Sequence, residues 1–70
     1  MKITKYVAAW NINNNEGRIK IMLEDKTEFQ MLPVNNSSEF IAMLTILQGA
    51  GEAYINDNGW LGTREDESWS

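Results

Sequence analysis

Between residues 18 and 48 the apolar side chains change their spacing once, from every second residue to every third or fourth, and that change limits the folds open to the chain. Ile19, Ile21 and Leu23 alternate with Arg18, Lys20 and Met22, the pattern of a strand with one buried face. Beyond a turn, Phe29 and Met31 alternate with Glu28 and Gln30, and Pro33 ends the run because it has no amide to give to a ladder. Phe40, Met43, Leu44 and Leu47 then recur at helical spacing. Asn36 stands three residues before Glu39 as a capping box, with Ser37 the alternative cap, and Gly49 and Gly51 offer left-handed stop positions.

The flanks extend the same logic. Residues 3–12 place Tyr6, Ala8, Trp10 and Ile12 on one face at period two, with Lys5 and Asn11 on the other. An Asn-rich turn at residues 13–17 leads back, and a register joining Ile12 to Ile19 and Trp10 to Ile21 makes the apolar faces coincide. For the second hairpin, a three-residue loop Glu24-Asp25-Lys26 sets Ile21 opposite Phe29 and Ile19 opposite Met31, and puts Lys26 in the left-handed position. Residues 53–56 and 60–63 flank Asp57-Asn58-Gly59, a three-residue turn with Gly where positive φ is needed, so Ile55 should face Leu61. The expected architecture is α+β: one small domain over residues 1–63, an antiparallel sheet with element order β-β-β-α-β-β, and one helix packed on one face. The pattern leaves open whether the last hairpin joins the main sheet within the chain or across a dimer. Residues 64–70 read as an acidic, flexible tail carrying Trp69.

A domain of 70 residues buries only about 60% of the surface its unfolded chain exposes, so small domains usually need a staple. With no Cys and no His, neither a disulfide nor an ordinary transition-metal site is expected, which leaves association as the remaining route. The apolar arc of the helix points the same way, because Ile41 and Ile46 widen it beyond the roughly 100° that covers one sheet. The net charge of −4 is uneven: residues 1–35 sum to +1 and residues 36–70 to −5. Acidity of that kind disfavours a phosphate backbone and suits a head-to-tail contact or a basic partner. The apolar run at residues 6–10 is too short for a signal-peptide core or a membrane span, so a cytoplasmic protein is expected, and the N-x-S matches at Asn35 and Asn36 read as helix entry.

The polar clusters hold no recognisable catalytic set. Ser and Cys nucleophiles need a base, normally His, so no catalytic residues are assigned and an enzyme is not expected. Glu24, Asp25 and Glu28 fall at an exposed hairpin tip where nothing would raise a carboxyl pKa. Gly49-Ala50-Gly51 follows a helix rather than leading one, so it is no phosphate loop. Residues 54–65 imitate a calcium loop but open on Tyr54 instead of a carboxylate. No metal and no cofactor is therefore assigned.

These readings converge on a small, non-enzymatic protein-interaction module that forms a homo-oligomer, most simply a dimer, through the helix and the sheet edges. Ile41, Ala42 and Ile46 are the expected interface residues. An alternative is a small-molecule, glycan or peptide binder using Tyr54 and Trp60 beside the final turn. A third reading, single-stranded nucleic-acid binding through Lys5, Arg18 and Lys20, needs aromatics on the same sheet face, and Tyr6 and Trp10 point to the other.

Overall fold

The computed structural model of the chain describes residues 1–49 and 51–63. It contains β1 (Lys2–Asn11), β2 (Glu16–Leu23), β3 (Gln30–Leu32), α1 (Ser37–Gln48), β4 (Ala53–Ile55) and β5 (Leu61–Gly62). The five strands make one antiparallel sheet in the order β3-β2-β1-β4-β5, and α1 packs on one face against β2 and β5. This is the expected α+β fold, and the last hairpin joins the main sheet within the chain: Lys2 pairs with Tyr54 and Ile3 with Ala53. The expected tail, residues 64–70, lies outside the described residues.

The core is thin. Among the described residues, Ile3, Ile19, Ile21, Leu23, Leu32, Leu47 and Ala53 are buried, and Ile19 and Ile21 alone of these are sealed completely. Phe40, Met43, Ile55 and Leu61 lean on this cluster while remaining partly exposed. Asn36 caps the helix as expected, its Oδ1 accepting the Glu39 amide at 2.9 Å, but the Glu39 carboxylate accepts the amide of Asn35, one residue before the cap, at 3.2 Å. Its exit differs. Gly49 is extended at φ −77°, and the left-handed residue is Gly51 at φ +91°.

The first hairpin keeps its expected face but not its expected register. Ala8, not Ile12, lies opposite Ile19, Tyr6 opposite Ile21, and Trp10 opposite Gly17. Ile12 is left in the turn, 80% exposed. Two local causes set this. The Asn11 side chain accepts the amides of Asn13 and Asn14 at 2.9 and 3.2 Å, so the chain turns before Ile12 can pair, and Asn15 supplies the left-handed residue at φ 54°. Across the sheet, Gly17 then makes room for the Phe40 ring, which meets Trp10 with centroids 5.4 Å apart at a 52° tilt.

The second hairpin slips by one residue from its expected pairing. Ile19 faces Leu32 and Ile21 faces Gln30, so Leu32 is buried while Phe29 and Met31 are exposed. Residues 24–29 all lie outside the strands, so the connection is longer than the three residues expected, and the Lys26 amide closes a turn on the Leu23 carbonyl at 3.1 Å. Lys26 is not left-handed; Asn15 alone of the described non-glycine residues has positive φ. The longer loop lets branched Leu32, rather than unbranched Met31, fill the space beside Ile19. The final turn matches its expectation: Ile55 pairs with Leu61, Gly59 has φ +86°, and Asn56 Oδ1 accepts the amides of Asn58 and Trp60.

Candidate interaction surface

Strand β1 is unevenly covered. One edge pairs with β2 along its length, whereas β4 meets the other edge only at Lys2 and Ile3. Among the described residues, no strand pairs with residues 4–11 on that second edge. The cause is how the chain leaves the helix. Gly51 turns at φ +91° and β4 begins at Ala53, level with Ile3, so no length of β4 remains to run beside the rest of β1. The β1–β2 register shifts between Ile3 and Lys5 as at a bulge, and the Thr4 hydroxyl donates to the Met22 carbonyl at 3.2 Å there. Strand amides alternate sides, so about half of those in residues 4–11 face outward.

A polar clasp holds the short β1–β4 contact. Glu52 accepts the Tyr54 hydroxyl on one carboxylate oxygen at 2.7 Å and meets Lys2 Nζ on the other at 2.9 Å. The Tyr54 hydrogen bond, with Lys2 adding to it, lowers the Glu52 pKa, and the Glu52 hydrogen bond and charge raise that of Lys2. The Tyr54 hydroxyl is engaged by Glu52 where β4 meets β1, while Trp60 is exposed at the final turn.

The other residues singled out from sequence fall as follows. Ile41 is 63% exposed, Ala42 is exposed and Ile46 is half-buried. At 100° per residue Ile41 and Ile46 stand about 140° apart, with Ala42 and Thr45 between them on the outer arc. Thr45 returns its hydroxyl to the Ile41 carbonyl at 2.7 Å, while exposed Ser38 falls inside the same arc and exposed Gln48 beside Ile41, so the outer arc is mixed in character. Lys5, Arg18 and Lys20 share the sheet face away from the helix, opposite Met22, Ala9 and Val7 respectively. Arg18 is paired with Glu16 at 3.0 Å, and Tyr6 and Trp10 lie on the helix side. Glu24 and Glu28 flank an exposed loop with Asp25.

Sequence reasoning did not find the open edge, because it depends on where β4 docks, nor Glu52, whose partner Lys2 is fifty residues away in the chain. It also missed a concavity of about 430 Å³ between the first turn and the loop before α1, lined among others by Trp10, Asn14, Asn15, Glu16 and Asn35. A second hollow of about 420 Å³ continues it past Gly17 and Val34 to Arg18. No family model, no curated protein and no solved structure matches the chain. Among the described residues, no helix is long and apolar enough to cross a membrane.

Proposed function

We propose that the protein is a non-enzymatic interaction module that self-associates, a second copy of the chain adding along the open edge of β1. The edge at residues 4–11, which no strand among the described residues covers, carries this reading, since open backbone donors and acceptors on a strand select another strand. The strand suits itself as partner. Antiparallel pairing about a two-fold axis at Ala8 sets Tyr6 opposite Trp10, Val7 opposite Ala9 and Lys5 opposite Asn11 of the other copy. No like charges meet: the two Lys5 side chains stand roughly 20 Å apart at about 3.4 Å per residue, beyond the Debye length of about 8 Å. Val7, 52% exposed, and the half-covered Tyr6 would lose apolar contact with water on pairing. Ile41 and Ala42 on the outer arc of α1 are exposed as well, and their role is separable from that of the edge by substitution.

Light scattering on a size-exclusion column tests the reading. The expected mass at micromolar concentration is twice 8.0 kDa. Val7→Glu should give the monomer mass, because it places a charge on the seam while Lys20 opposite accommodates it in the folded monomer. Ile41→Glu should leave the dimer intact. Loss of the dimer with Ile41→Glu and its retention with Val7→Glu would move the contact to the helix.

A further inference from the structure

The concavity beside Trp10 has a chemistry of its own, set by the first turn and the loop before α1. Its aromatic wall is fixed: Trp10 is 38% exposed, and its ring rests on Phe40, which rests on Gly17. The rest of the wall is dominated by primary amides, from Asn14 and Asn15 in the turn and from Asn35 and Asn36 ahead of the helix. The side-chain amides of Asn14 and Asn15 make no hydrogen bond to the described protein, and that of Asn35 gives one N–H to Glu39 at 3.2 Å and keeps its oxygen. Glu16, the wall's carboxylate, is paired with Arg18 from the adjoining hollow, so the site carries no uncompensated charge.

Each ligand class meets a different obstacle here. An anion finds no spare cation, and a cation finds its carboxylate already engaged. A purely apolar ligand would strip water from several amides without replacing their hydrogen bonds. A primary amide presents a donor and an acceptor in one plane, which matches adjacent hydroxyl groups that each donate and accept. An exposed indole face beside such amides suits a molecule with hydroxyls at its rim and C–H groups on its face. We propose that this cleft binds a neutral saccharide, one ring lying on Trp10 and its hydroxyls bonded to Asn14, Asn15 and Asn35. A volume of about 430 Å³ falls within the range of small-ligand sites and accommodates a short saccharide.

The test uses the full chain, labelled with nitrogen-15, titrated with maltose, cellobiose and diacetylchitobiose. The indole N–H of Trp10 and the side-chain amides of Asn14, Asn15 and Asn35 should shift saturably with at least one of them, while the indole of Trp60 stays in place. Asn14→Ala combined with Asn15→Gly removes two amides and keeps the left-handed turn, so the fold should survive and binding should weaken roughly tenfold. No saturable shift with any of the three sugars overturns the proposal. So does a shift centred on Trp60, or an affinity unchanged by the double substitution.

Discussion

Gly17→Ala is the substitution whose effect follows most directly from the packing. A Cβ at Gly17 would stand 2.5 Å from Phe40 Cδ1 and 3.0 Å from its Cε1 and Cγ, closer than real carbon contacts allow. The ring has little room to retreat, since Trp10 holds it at 5.4 Å and α1 fixes its backbone. Overpacking of this kind costs about 1–3 kcal/mol. Alanine recovers about 0.5–1 kcal/mol by restricting the unfolded chain, because Gly17 sits in ordinary strand geometry. The net expectation is a loss of about 1–2 kcal/mol, which for a domain of this size lowers the thermal midpoint by roughly 5–15 °C. Circular dichroism melts at one fixed protein concentration measure it, the concentration being held because association also moves the midpoint. Phe40→Leu should cost less in the Gly17→Ala background than in the native chain, since it relieves the clash. A midpoint equal to or above the native one, or purely additive effects of the two changes, would refute this account of the register.

Four further outcomes follow from the geometry. Because its folded pKa is depressed, Glu52 contributes stability above the ordinary glutamate range that is lost as the pH falls through the lower folded value; melts across acidic pH should show this slope, and Glu52→Gln should flatten it. Lys2 works in the opposite sense, its contribution fading as the pH rises through its raised folded value. Asn36→Ala should cost about 1 kcal/mol in urea denaturation through the lost hydrogen bond to the Glu39 amide. Lys26→Gly should lower stability by about 0.4–1 kcal/mol, because the residue has no positive φ for glycine to relieve and only unfolded-chain freedom changes.

What could be read from sequence was what is encoded locally. The cap at Asn36 and the turn at Asp57-Asn58-Gly59 depend on residues within a few positions, and both have their expected geometry. The face of β1 was legible because alternation has a period of two, but for the same reason its register was not. Moving Ile19 from Ile12 to Ala8 is a shift of four, which returns every side chain to the same face, so hydrophobic pattern cannot separate the two pairings. The choice rests on Asn11 capping the turn and on Phe40 needing the space above Gly17, a contact between residues 23 positions apart. In the second hairpin, Met31 and Leu32 are equally apolar neighbours, and the unrecognised longer loop decided between them. The candidate surface was the least legible part. Ile41 and Ala42 were singled out from helical spacing and are exposed, whereas the edge of β1 that no described strand covers follows from the three-residue length of β4 and its docking at Ile3.

A single thiol provides the most direct test of self-association through β1, since the chain has no cysteine of its own. In an antiparallel pair centred on residue 8 the two Cα atoms lie about 5.5 Å apart, within the span of a disulfide. Ala8→Cys should therefore oxidise to a covalent dimer far faster than Asn13→Cys, placed in the exposed turn, at the same protein concentration. Equal and slow crosslinking of the two variants would contradict the pairing of β1 edges.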